Sequence, residues 1–299
     1  MTAPGRTSAG RPPITRDALR DHLLRTRLAG PEVPTPRQNN LRHYRLFAQA
    51  DPKALMGLDP ERRWDEAAVL AMMAARVGVD PDPRYTEGPD TIDPERTLDA
   101  LDRLAALLRA TADARGTVLA GTGHPQKLPG FHGALVRALE AAGCRVHAPV
   151  RGLRFREPTP EGERGRITDA VGPVTVIRDL DGYPEFAGRP SGGARGRGGT
   201  AAGDLRHTHS PQPVRLTLAA LADAGHPPPD LVLGDHGWLC GAGRLGIPAG
   251  GLADCNDVAP FAAEEEGTVA VVVPVDDGSA PACYRPLSDY VLQRADLAP

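Results

Sequence analysis

The segment Asp254-Cys255-Asn256-Asp257 is the densest group of potential ligands in the chain. Three oxygen-bearing side chains fall within four residues after a small, apolar stretch. Hard divalent cations take carboxylate and amide oxygens, so Asp254, Asn256 and Asp257 are candidate metal ligands. The plain alternative is an Asx turn in which Asp257 caps the next helix. Gly234-Asp235-His236-Gly237 offers a second set. A strand-end Asp235 can hold a metal or act as acid or base, and His236 can ligate or transfer a proton. The flanking glycines would let a ligand approach the backbone. The alternative is an Asp that only caps the helix beginning near Trp238.

Gly121-Thr122-Gly123-His124-Pro125 is a Gly-rich turn whose backbone N–H groups could face an anion. It lacks G-x-x-x-x-G-K-[ST] and G-x-G-x-x-G, so neither nucleotide signature is present. A tight strand-to-helix turn explains it equally. His207-Thr208-His209-Ser210 places two histidines on one side of an extended segment. They could ligate a metal, bind a phosphate or cap the following helix. A zinc site would need two further ligands, and no neighbouring set supplies them. Thr35–Tyr44 contains Arg37, Asn39, Asn40, Arg42 and His43. Asn39 and His43 are four apart and share a helix face. Asparagine forms helices poorly, and Asn39, Asn40 and Asn256 are the chain's only three. Arg37 or Arg42 could grip a phosphate; a solvated, capped face is the alternative.

These segments need elements to bring them together. Helices are expected over Thr15–Leu28, Pro36–Ala50, Trp64–Val77 and Asp93–Ala114, with Thr35 capping the second, so the first third reads as nearly all helix. From Thr117 the pattern becomes strand–loop–helix–strand. Strands are expected near 118–120, 144–148, 174–177, 231–233 and 268–273, and further helices near 131–142, 210–224, 238–245, 259–266 and 286–295. Alternation of this kind gives parallel crossover units. The fold class expected is α/β, a Rossmann-like, layered and mostly parallel sheet with an N-terminal helical part. The expected division is a disordered tail 1–13, a helical part 14–115 and a Rossmann-like part 116–299, with a mobile Gly/Arg-rich insertion at 187–203. Ligands in such sheets bind beyond the carboxyl ends of the strands. The polar loops 121–125, 234–237, 254–257 and 276–278 would share that edge.

The formal net charge of -3 gives no case for nucleic acid or an anionic membrane. Only Lys53 and Lys127 are lysines, a bias that a GC-rich genome explains. Cys144, Cys240, Cys255 and Cys283 form no C-x-x-C pair. No apolar run reaches the ~20 residues of a membrane span, and the first 13 residues lack an apolar signal core. A cytoplasmic protein is expected.

Taken together, T-P-R-x-N-N-L-x-H-Y, T-G-H-P, H-T-H-S-P, D-H-G-W, A-D-C-N-D and P-x-D-D resemble a bacterial family, common in actinomycetes, whose members are called simply phosphatases. The likeness runs from about Thr15 to Leu292, and the insertion at 187–203 has no counterpart in it. It implies a phosphatase but assigns no catalytic residue. A more distant, fold-level similarity is to the metal-dependent damage-control phosphatases, whose motifs do not match. The resulting expectation is hydrolysis of a small phosphorylated metabolite with a divalent ion such as Mg, Mn, Co or Ni. Asp235, Asp254, Asn256 and Asp257 would hold the ion. Arg37, Asn39, Asn40, His43, Gly121, Thr122, Gly123, His207 and His209 would contact substrate. Asp235, His236 and His124 would be catalytic. The competing expectation is a non-catalytic small-molecule binder using the same crevice.

Overall fold

The computed structural model describes residues 13–159, 162–180 and 205–297. The stretch 187–203 and residues 1–12 of the tail lie outside them. Helix α1 (Arg16–Thr26) is capped by the Thr15 hydroxyl, which accepts the Ala18 N–H. Then come β1 (Gly30–Pro36), α2 (Arg37–Ala48), α3 (Pro52–Leu55), α4 (Glu66–Arg76), β2 (Pro89–Ile92) and α5 (Pro94–Asp113). β1 and β2 pair antiparallel, which corrects the nearly all-helical expectation. Pro31, Pro34 and Pro36 fix φ and lack N–H groups, so they hold this stretch extended. Thr35 does not cap α2; its hydroxyl donates to Asp254 at 2.5 Å instead. Asp93 does cap α5, accepting the Glu95 N–H with Pro94 in the first turn.

The second part contains β3 (Thr117–Ala120), α6 (Pro129–Ala141), β4 (Arg145–Val146), β5 (Arg154–Thr159), β6 (Gly162–Val171) and β7 (Val174–Asp179). It continues with α7 (Gln212–Asp223), β8 (Leu231–Asp235), α8 (Gly237–Gly243), β9 (Ala249–Ala253), α9 (Val258–Glu265), β10 (Val271–Pro274) and α10 (Arg285–Arg294). Five strands form one wholly parallel sheet in the order β10-β9-β8-β3-β4. Every residue of β3, β8, β9 and β10 is buried, as a sheet covered on both faces requires. α5 lies across β9 and β10 with α1, α6 and α10 packed beside it, while α8 and α9 pack against β8, β9 and β10. One contiguous apolar cluster includes residues from Leu19 to Leu297. No helix among the described residues is long and apolar enough to cross a membrane.

Two strand expectations need correction. Val174–Ile177 does not join the parallel sheet. It forms β7 of a separate antiparallel sheet, β5-β6-β7, tied to the main sheet by a bridge between Gly121 and Thr175. The tight turn at 172–173 reverses the chain onto β6, where a parallel strand would need a long crossover. Conversely, the sequence pattern does not predict β5, β6 or β9. The β9 sequence, Ala-Gly-Gly-Leu-Ala, is a poor strand former by composition. The glycines are there because a Cβ on Gly251 would sit 1.7 Å from the Gly234 carbonyl oxygen. The chain leaves β3 toward β4 on one side and later returns to β8 on the other. The gap beyond β3 and β8 is therefore the topological switch point, where such sheets bind ligands.

Candidate metal centre

The loops after β3 and β8 meet at that gap. Asp235 ends β8 fully buried. Its Oδ1 accepts the Gly123 N–H at 2.6 Å, and its Oδ2 accepts the Thr122 hydroxyl. His132, on the buried face of α6, places Nε2 3.2 Å from the same Oδ2. Asp235 is thus no helix cap. It clamps the turn after β3 to the end of β8. The next residue, His236, has φ 46° and ψ -126°. This is a strained conformation for a residue with a Cβ, of a kind that persists where the surroundings impose it. It turns the imidazole into the gap.

The antiparallel sheet delivers two more histidines. The Arg206 N–H bonds to the Ile177 carbonyl and the Thr208 N–H to the Gly123 carbonyl. His207 and His209, flanking Thr208, project to the same side, as the extended spacing implied. Ring centroids lie 4.3 Å apart for His209 and His236, 4.1 Å for His124 and His207, and 4.4 Å for His124 and His236. Four of the chain's nine histidines therefore share one crevice. Carboxylates complete it. His236 Nε2 is 2.9 Å from Asp257 Oδ2 and 3.4 Å from Asp277 Oδ2, and its Nδ1 is 3.1 Å from Asp235 Oδ1. His124 Nε2 is 3.4 Å from Asp277 Oδ1.

Among the described residues, two triads have ligand atoms within 4.8 Å of one another: His124, His207 and His236, and His209, His236 and Asp257. A cation fits this set. Asp257 Oδ1 and His124 Nδ1 are buried without a hydrogen-bond partner, a costly state unless something else satisfies them. The electrostatics agree. Burial holds the imidazoles of His124 and His209 well below their ordinary range, reinforced by His236, and takes His207 down to about 4. These three are neutral near pH 7, as ligands must be. Burial opposes a charge on His236, but Asp257, Asp235 and Asp277 outweigh it and hold that imidazolium well above its usual range. Burial also lifts the Asp277 carboxyl to about 7 against the pull of His236. The proton on His236 balances a crowd of acids, and a bound cation would take its place.

The other sequence candidates are distributed unevenly. Asp254 is buried beside the cluster, with Oδ1 on the Cys255 N–H at 2.6 Å and Oδ2 on Thr35. Asn256 offers its backbone to His43. Neither belongs to the two triads. Asp257 heads α9 without any side-chain cap bond, so the capping alternative fails and the carboxylate is free to face His236. Arg37 is not brought to the crevice. Its buried guanidinium binds Asp90 at 3.1 Å and the carbonyls of Tyr85 and Asp82. Asn40 bonds Asp90 and Cys255, while Asn39 is half-buried. The Gly121–His124 turn is no phosphate cradle. Its four N–H groups donate to the Leu233 carbonyl, the Thr175 carbonyl, Asp235 and the Thr122 hydroxyl in turn. The further candidate ligands beside the histidine pair come from the loops after β3 and β8 and from the 254–257 loop, which sequence neighbours could not supply. Two site residues are absent from the sequence candidates. Asp277 lies in the polar loop 276–278, which the sequence placed at this edge without giving the residue a role, and His132 sits in an apolar helical stretch that reads as core.

The family model described as Phosphatase matches residues 14–299. The chain is 43% identical over 285 residues to Phosphatase SCO2771 of Streptomyces coelicolor, a match covering 95% of this chain and 97% of that protein.

Proposed function

The chain belongs to this phosphatase family and is an enzyme, and from that premise we propose that it hydrolyses phosphomonoesters of a small metabolite at the histidine–aspartate crevice. The observation that carries this reading is the convergence of His124, His207, His209, His236 and Asp257, with unpartnered polar atoms, beyond the β3 and β8 ends. His236 with His124 and His207, or with His209 and Asp257, would hold a divalent ion. An imidazole-rich donor set suits a first-row transition ion such as Mn, Co, Ni or Zn better than Mg. When bound, such an ion supplies Lewis acidity to a phosphoryl oxygen.

The chain's own residues do the rest. Asp235, fixed by Thr122, Gly123 and His132, orients the His236 ring. In hydrolysis a water oxygen bonds phosphorus, the ester P–O bond breaks, and the departing alcohol takes a proton. Asp277, whose Oδ1 lies 3.4 Å from His124 Nε2, is placed to carry that proton. Purified protein should turn over p-nitrophenyl phosphate, lose that turnover to a chelator, and regain it with one of the four ions. His209→Ala and Asp257→Asn should each lower kcat by about 100-fold or more and release bound metal. Full turnover in chelated protein, or in both variants, would reject the metal reading.

A further inference from the structure

A cavity of about 570 Å³ opens beside the crevice and shares His207 and His209 with it. Its volume falls in the range of small-molecule sites. Pro52, Leu55 and Leu58 line one side, Pro158 of β5 another, and Pro211 ahead of α7 a third. The polar members of the wall are largely engaged with one another. Glu157 accepts Arg166 at 2.7 Å and the Thr208 hydroxyl, Arg215 donates to the Gly57 carbonyl at 3.0 Å, and Arg244 pairs with Asp59 at 2.8 Å. Lys53 is exposed and lines the cavity. It also lines a smaller pocket of about 110 Å³ with His43, His209 and Asn256. Lys53 therefore stands where the two spaces meet at His209.

We propose that the larger cavity is the leaving-group pocket of the enzyme, that it selects phosphomonoesters of apolar alcohols, and that Lys53 holds the anionic phosphoryl end. This rests on the metal-centre reading for where phosphorus sits. The selectivity follows from the lining. A sugar-like leaving group would give up hydrogen bonds to water and find Glu157, Arg166, Arg215 and Arg244 already paired. An alkyl chain would bury its methylenes against Pro52, Leu55, Pro158 and Pro211, which favours binding. An anion at the mouth meets the Lys53 ammonium, with Arg42 lining the smaller pocket beside it.

The test uses ethyl, butyl and hexyl phosphate with glycerol phosphate. kcat/KM should rise about 4-fold per methylene along the alkyl series, with glycerol phosphate below butyl phosphate. Leu55→Asn should flatten that slope, and Pro158→Ser, at an exposed strand position, should do so if Leu55→Asn folds poorly. Lys53→Ala should raise KM about 10-fold across the series with the slope intact, and Lys53→Arg should recover part of the loss. Calorimetry with methyl-, butyl- and hexylphosphonate reads the pocket without turnover. If no ester is hydrolysed but hexylphosphonate binds more than 10-fold tighter than methylphosphonate, the metal-centre reading fails and the pocket stands. Turnover with no dependence on chain length, or equal phosphonate affinities, overturns the pocket.

Discussion

Arg37 shows how a polar residue can sit in a functional-looking phrase and serve the fold. The guanidinium and Asp90 are both fully buried, and Asp90 also accepts Asn40 and the Asp80 and Thr91 amides. Together they lock the start of α2 to β2 and the loop before it. Removing one partner of such a pair leaves a buried charge without its counterion. Arg37→Met should therefore cost about 3–5 kcal/mol in urea denaturation, while KM of the remaining folded enzyme stays near the wild-type value. A stability close to wild type with a KM raised 10-fold would return Arg37 to the phosphate. His236 is the opposite case: its left-handed φ of 46° is unfavourable on its own and is held by contacts on every side.

At the scale of elements, the site depends on how closely the turn after β3 can approach β8 and the 207–209 segment. A Cβ on Gly123 would lie 2.2 Å from the Thr208 carbonyl oxygen and 2.8 Å from His236 Nδ1. Backbone cannot yield there without parting the histidines. Gly123→Ala should lose about 1–3 kcal/mol of stability and most of the activity, read by thermal melts and p-nitrophenyl phosphate turnover. Gly130, in the first turn of α6, meets nothing within 4 Å. Gly130→Ala should instead stabilise by about 0.5–1 kcal/mol. Equal effects of the two substitutions would remove the close-approach argument.

Across the whole molecule, α1, α5 and α10 are joined by an ion-pair network. Arg16 reaches Glu95, Asp99 and Asp102, Arg20 reaches Glu95, and Arg294 reaches Asp102. Hydrogen bonds from Arg20 and Arg16 bring the Glu95 carboxyl down to about 2 from an ordinary 4.5. A depressed carboxyl contributes stability above its unfolded value and loses it as pH falls toward its folded one. Glu95 should therefore steepen acid destabilisation between about pH 4.5 and 2. Urea midpoints taken at pH 5, 4 and 3 should fall less for Glu95→Gln than for wild type. Parallel lines would mean that the pairs are screened by solvent.

Local chemistry made much of this protein legible from its residues alone. Asp93-Pro94 announces its helix because caps act within three residues, whereas Thr35-Pro36 carries the same signal but Thr35 bonds Asp254 instead. The apolar runs Val118–Ala120 and Leu231–Leu233 announce buried parallel strands, and strand-end placement marked Asp235, His236 and His124. The spacing of His207 and His209 already put both rings on one side. What depended on distant neighbours was decided only in three dimensions. β9 is a strand because β8 and β10 pair with it, not because Ala-Gly-Gly-Leu-Ala favours one. Val174–Ile177 went to the second sheet through its pairing with β6. Asp257 faces His236 instead of capping α9, and the Gly121–His124 amides are consumed by partners as far away as Thr175 and Leu233. Asp277 and His132 gained roles only when β10 and α6 brought them beside His236 and Asp235. Capping, turn and periodicity signals report energies between residues close in sequence, whereas a ligand set depends on which strands lie side by side, and that is set by burial of the whole core.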